Sequence, residues 1–247
     1  MKAGKWWPND GVMCWVIEPG AVGMGRIIAL AGIDGSGKTT LSSWLRDQLL
    51  ERGYAPDIIW SRFNNYLSAP FLAATRVTGH NYYTVNEGTR MGFHSFESLP
   101  TTIGSLFIVL QAIDVNIATL FKVNLPSRRQ PLVICERGPW DTLVDVSADL
   151  MSEKLARGVW SDLFLKQVES RTDMVLIERD VDRIRACRPE LGSDEKLVFR
   201  KQVYRTLAER RGWAIVDNNG PLEETRAQLS NWLDSLGIPG QGGTGDT

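Results

Sequence analysis

The stretch Gly32-Ile33-Asp34-Gly35-Ser36-Gly37-Lys38-Thr39 fits the spacing G-x-x-x-x-G-K-[ST], a pattern built to grip phosphate. Its glycines let successive backbone N–H groups converge on phosphate oxygens, and a helix starting at its end adds partial positive charge. Lys38 is then placed to reach the β- and γ-phosphates of a nucleoside triphosphate, and the Thr39 hydroxyl to ligand Mg²⁺. Three further groups carry chemistry of the same kind. Arg62 follows a second apolar run, Glu136-Arg137 ends a third, and Arg179, Arg183, Arg185 and Arg188 crowd one short segment. A carboxylate at a strand tip beside a phosphate loop suits Mg²⁺, usually through water. An arginine there suits a phosphate, because its planar fork matches the oxygens.

These groups need elements to hold them. Residues 26–31 form an apolar run with the look of a buried parallel strand. Leu41, Trp44, Leu45, Gln48 and Leu49 then recur at helical spacing until Gly53. A second strand is predicted over 56–60, which puts Arg62 beyond a carboxyl strand end, where open parallel sheets bind ligands. Residues 64–98 mix aromatics and glycines without a clean period, and His80 and His94 read as surface or core-rim residues. Pro100 suits a helix start. From there Ile103, Phe107, Leu110, Ile113, Ile117, Leu120 and Phe121 predict a long helix buried on more than one face. Its polar Gln111, Asp114 and Asn116 are either satisfied core groups or ligand contacts. Strands are also predicted over 132–135, 174–177 and 213–216, and helices over 141–157, 161–171, 194–211 and from Pro221 onward. Helical spacing sets Arg185 and Arg188 on one face, as a mobile basic lid would require.

The chain has 247 residues and a net charge of −1, which excludes a general electrostatic preference for nucleic acid or anionic membrane. Cys14, Cys135 and Cys187 lie far apart, with two histidines in the chain, so neither a disulfide framework nor a structural zinc site is expected. No signal peptide is evident, and the apolar run 103–123 is interrupted by Asp114, which is costly in lipid. The expectation is a cytoplasmic protein without a membrane span. Residues 1–23 precede the first strand without a clear period; they are either an extension that packs Trp6, Trp7 and Trp15 or a start placed too far upstream of Met24. Residues 238–247, rich in glycine, are expected to be a disordered tail.

Five apolar strands alternating with helices, with the phosphate loop after the first, predict an α/β fold: a three-layer P-loop NTPase fold with a five-stranded parallel sheet, helices on both faces and a short basic lid. No N-K-x-D guanine motif is present, and the third strand ends in Glu136-Arg137, not in the carboxylate pair of motor ATPases. The combination resembles the thymidylate kinase family over about residues 24–237. The loop, through Thr40, resembles that family's loop including the acid at Asp34. Cys135-Glu136-Arg137 resembles its Asp-Arg motif with glutamate for aspartate, and Phe107…Gln111…Asp114 its nucleoside-pocket helix.

The resemblance implies a kinase moving the γ-phosphoryl of ATP to dTMP with Mg²⁺. Gly32 to Thr40 would bind ATP, with Thr39 and Glu136 serving the metal. Asp34 would face the acceptor sugar, Arg62 and Arg137 its phosphate, Phe107 the base face and Gln111 the base edge. Ser36 stands where an arginine could serve in the loop, so the catalytic arginine falls to the lid, with Arg183, Arg185 and Arg188 as candidates. Lys38, Arg137, Arg185 and Arg188 are thus the expected catalytic set. The sequence departs from the family at Val115, Gly138 and residues 60–63, all on the acceptor side. Two other readings stay open: a same-fold kinase with another acceptor, and a nucleotide-binding regulator without transfer. The partners expected are nucleotide substrates; a homodimer is open.

Overall fold

The computed structural model describes residues 4–9, 12–17, 25–62, 64–86 and 89–238. At its centre is a five-stranded, all-parallel sheet in the order β4-β7-β3-β8-β9. The strands are β3 (Arg26–Ala31), β4 (Ile58–Trp60), β7 (Leu132–Arg137), β8 (Thr172–Glu178) and β9 (Ala214–Asp217). Two antiparallel hairpins lie outside it, β1 (Gly4–Asn9) with β2 (Val12–Ile17), and β5 (Asn81–Asn86) with β6 (Thr89–His94). The helices are α1 (Lys38–Glu51), α2 (Ala69–Val77), α3 (Thr101–Thr119), α4 (Leu125–Ser127), α5 (Pro139–Asp149), α6 (Lys154–Arg157), α7 (Val159–Leu165), α8 (Val181–Cys187), α9 (Leu197–Arg211) and α10 (Leu222–Ser235).

Side chains alternate across a strand, and β3 uses both faces. Ile27, Ala29 and Ala31 enter a core shared with α3, α5, α7 and α9, whereas Ile28 and Leu30 enter one with α1 and α10. Every one of these β3 side chains is fully buried, which is why the strand reads as an unbroken apolar run rather than an alternating one. The result is a three-layer α/β arrangement with the carboxyl ends of β3, β4 and β7 side by side. The glycine loop, Arg62 and Glu136-Arg137 therefore meet at one edge.

Several expectations are corrected. Residues 64–98, which show no clean period in the sequence, hold helix α2 and hairpin β5–β6. The expected helix over 141–157 ends at Asp149, where Met151 takes a positive φ of 47° before α6 begins. The 161–171 helix breaks after α7 into a single 3₁₀ turn at Glu169–Arg171. Helix α3 is buried on one face only: Phe107, Ile108, Gln111, Ala112, Asp114 and Val115 point inward, while Ile103, Ile113, Ile117, Leu120 and Phe121 are exposed. It runs on through a π turn, Leu120–Asn124, into α4. Residues 101–127 are long and apolar enough to cross a membrane by length and composition, with half of the most apolar window packed inside the domain. The hairpin β1–β2 occupies the segment that showed no period; the side chains of Trp6, Trp7 and Trp15 lie outside the described residues, as does 239–247. Ile238, assigned to the tail, is buried against the α1–α10 core.

Candidate functional site

The glycine loop turns from β3 into α1 with Gly37 as the capping residue in the left-handed region. Ile33 is buried, Ser36 and Lys38 are buried, and Thr39 and Thr40 stay exposed. Lys38 Nζ folds back on its own loop, donating to the carbonyls of Gly32 and, at 2.9 Å, Ile33. Burial and the nearby Arg137 guanidinium pull its pKa down to about 8. Thr39 Oγ1 donates to Glu136 Oε1 at 2.6 Å, and Ser42 Oγ to Glu136 Oε2 at 3.2 Å. Thr39 and Glu136 are thus paired across the loop, a hydroxyl and a carboxylate in the positions a hard cation prefers. Among the described residues no three His, Cys, Asp or Glu side chains cluster as a self-sufficient metal site.

Helix α8 packs over the loop through Ile184, its one buried residue. The approach is close enough that a Cβ on Gly35 would lie 2.7 Å from Ile184 Cγ2 and 3.5 Å from Arg188 Cδ. Arg188 is therefore beside the loop, ion-paired through Nε with Glu190 at 2.6 Å. Arg185 is half-buried with its Nε unpartnered, and Arg183 is exposed. The one-face argument for Arg185 and Arg188 is corrected: α8 ends at Cys187, and Arg188 has the extended-side backbone φ −137°, ψ 75°. Arg179, in the arginine-rich segment but not among the lid candidates, places Nη1 3.4 Å from the Gly35 carbonyl, and Asn218, which the sequence reading passed over, donates Nδ2 to the Ser36 carbonyl at 2.8 Å.

On the other side of Asp34 the structure gathers acids and arginines. Arg62 donates Nη1 to both Asp34 oxygens and Nε and Nη2 to Asp145, at 3.0–3.2 Å. Arg137 donates to Asp34 and, at 3.0 Å, to Asp141. Asp141 is fully buried and also accepts from Tyr204 Oη at 2.6 Å and from the Gly138 N–H, closing the first turn of α5. Burial disfavours ionising Asp34, but Arg62, Arg137 and Lys38 together outweigh it and hold the carboxyl well below the usual range.

No family model matches this chain, and none of the curated proteins matches it.

Beyond these pairs lies a cavity of about 210 Å³, lined among others by Asp34, Arg62, Asn65, Phe107, Gln111 and Asp145. Hairpin β5–β6 contributes Gly92, Phe93 and His94 to it, so the segment that was least legible in sequence forms a wall. His94 is stacked on Phe96 and paired with Asn81 Oδ1 at 2.6 Å, and burial lowers its pKa. Gln111 Nε2 donates to Asn65 Oδ1 at 2.9 Å and Ser68 Oγ at 3.1 Å; Phe107 packs on Phe71 at 5.1 Å between centroids. Asp114 stands apart. Its carboxylate accepts the backbone N–H groups of Tyr66, Leu67 and Ser68 and the Ser68 hydroxyl, which settles it as a brace for the start of α2. Asn116 likewise bonds the Ala112 and Leu163 carbonyls. The departures from the family pattern have local causes. Val115 is buried in the apolar core, and the ring of Trp140 fills the space beside Gly138, where a Cβ would lie 2.4 Å from Cη2.

One signal in the sequence was missed. Asp141, Asp145 and Asp149 follow at four-residue spacing along α5, one stripe of carboxylates turned toward Arg137, Arg62 and the cavity.

Proposed function

We propose that this chain is a P-loop phosphotransferase, resembling thymidylate kinases, that moves the γ-phosphoryl of ATP–Mg²⁺ to an acceptor held in the cavity beyond Asp34. The observation that carries the reading is the pairing of Thr39 with Glu136 on one flank of the loop and the meeting of Asp34, Arg62 and Arg137 on the other. Backbone N–H groups of Gly32 to Thr40 and the Lys38 ammonium bind the triphosphate, with Thr39 and Glu136 serving the Mg²⁺, which would neutralise phosphate charge. Arg137 reaches between donor and acceptor, and Arg185 and Arg188 on α8 supply charge from above. Such transfer asks little covalent chemistry of the protein; it asks for alignment and charge neutralisation. Closure of α8 would keep water from the γ-phosphoryl. The setting proposed is cytoplasmic, with nucleotide substrates and neither nucleic acid nor membrane as partner.

The resemblance implies dTMP as acceptor, with Phe107 and Gln111 toward the base. A second reading, a same-fold kinase with another acceptor, is favoured by the four carboxyl groups on the cavity wall, Asp34, Asp145, Asp149 and Asp194. Coupled ADP release with monophosphates, nucleosides, sugars and no acceptor tests the proposal. Acceptor-dependent release that disappears in Lys38→Ala is the expected result; release that ignores every acceptor, or survives Lys38→Ala, removes it.

A further inference from the structure

The cavity wall carries four carboxyl groups, Asp34, Asp145, Asp149 and Asp194, against two guanidinium groups, Arg62 and Arg200. Both arginines are already engaged by those acids. Arg62 spends Nε, Nη1 and Nη2 on Asp145 and Asp34. Arg200 donates to Asp194 at 2.5 Å and stands 3.4 Å from Asp145. Arg137, just behind, is likewise divided between Asp34 and Asp141. A phosphate entering here would have to strip arginines from the carboxylates of Asp34, Asp145 and Asp194, which stay beside it, and like charges in contact repel.

A second observation points to what would fit instead. Asp149 as a residue is only 9% exposed, and its carboxyl lies on the cavity wall with no hydrogen-bond partner among the described residues. Burial and the neighbouring Asp145 push its pKa up to about 8, so it is held as the neutral acid, able both to donate and to accept. A buried polar group left unmade is costly, and a ligand hydroxyl would satisfy it. The cavity is also small: about 210 Å³, below the usual span of roughly 300–1,000 Å³ for drug-sized ligands.

Resting on the phosphotransferase reading, we infer that the acceptor is an uncharged, hydroxyl-rich small molecule, a nucleoside or a sugar, and not a compound that already carries phosphate. Its hydroxyls bind Asp145 and Asp149, its ring packs on the Phe93 and Phe107 side, and one hydroxyl is presented past Asp34. In transfer, that oxygen bonds to the γ-phosphorus as the bond to the β–γ bridging oxygen breaks; ADP leaves, and the hydroxyl proton passes to solvent water, since the Asp34 carboxylate is committed to Arg62 and Arg137.

Calorimetry on the full chain saturated with a non-hydrolysable ATP analogue and Mg²⁺ tests this, with thymidine, a hexose, dTMP and inorganic phosphate as probes. Thymidine or the hexose should bind at least about tenfold tighter than dTMP, as a like-charge clash requires, with the two neutral probes telling nucleoside from sugar. Inorganic phosphate should leave the melting temperature of the loaded protein unchanged and should raise it in Asp145→Asn, where one arginine partner is relieved. Binding of dTMP as tight as thymidine, or a phosphate-induced rise in the unaltered chain, overturns the inference. Should neither organic probe bind, the phosphate arm decides alone. Failure of the ATP analogue to bind would instead remove the phosphotransferase reading and is seen first.

Discussion

The two flanks of Asp34 are built on opposite plans. The flank proposed to hold the donor is a single stretch, residues 32–42, that would face a nucleotide largely with backbone groups, and one distant acid, Glu136, completes it. The acceptor flank is assembled from the end of β4, hairpin β5–β6, α3, α5 and α9, and faces its cavity with side chains. Charges differ as well. Lys38 brings a buried ammonium and α8 brings arginines, whereas the cavity wall holds four carboxyl groups against two guanidinium groups. A backbone cradle recognises any triphosphate; a side-chain cavity discriminates. On this account, donor binding and acceptor choice are separable, and substitutions should divide along that line.

The largest break is expected at the lid. An arginine that neutralises a transferring phosphoryl group is worth about 10³–10⁵ in kcat. Arg188, which lies beside Gly35, is the first candidate and Arg185 the second, so Arg188→Ala or Arg185→Ala should collapse kcat with ATP affinity much less changed. Should both variants, and Arg183→Ala, stay within about threefold of the parent, the charge is supplied from elsewhere, since a screened surface arginine gives under about 1 kcal/mol. Arg179, 3.4 Å from the Gly35 carbonyl, would then be next.

A smaller effect is expected at Arg137, which stands on the boundary. Arg137→Ala removes charge-assisted bonds to Asp34 and Asp141, and a loss of about 100-fold in kcat/KM should follow, with ATP binding little altered. Steady-state kinetics at varied ATP and varied acceptor separate the two. An effect confined to ATP would move Arg137 to the donor flank.

The smallest effect is in stability. Asp149 is pushed up to about 8 in the folded chain, above its ordinary carboxylate value. The folded state therefore holds a proton that the unfolded state has lost between pH 6 and 8. Its contribution to stability is present at low pH and disappears as the pH rises through about 8, with a slope near −1.4 kcal/mol per pH unit at most. Urea unfolding at pH 6 and pH 8 should show this fall in the parent chain and a flatter dependence in Asp149→Asn. Equal slopes would mean that Asp149 is ionised and already partnered.

The same contrast explains what could be read from sequence. The sheet was legible because β3, β7 and β8 are buried on both faces, so their apolar runs need no knowledge of neighbours. The glycine loop, Glu136 and Arg62 were legible because their chemistry is tied to strand ends. The acceptor wall was not. Hairpin β5–β6 mixes tyrosines, asparagines and glycine, and its Gly92, Phe93 and His94 line the cavity. Asp114 read as a ligand contact or a core group, and only the fold reveals the three N–H groups of Tyr66, Leu67 and Ser68, just before α2, that occupy it. The α5 stripe of Asp141, Asp145 and Asp149 was present in the sequence at helical spacing. It means little until Arg62 and Arg137 are found opposite.

The most direct test of the separation is equilibrium binding of ATP–Mg²⁺, measured by calorimetry in the parent chain, Lys38→Ala and Arg62→Ala, with circular dichroism on each to confirm an intact fold. The account predicts one site per chain, weakened at least about tenfold in Lys38→Ala through loss of a charge-assisted phosphate contact, and changed by no more than about threefold in Arg62→Ala. Equal weakening in the two variants, or binding in Lys38→Ala as tight as in the parent chain, would contradict it.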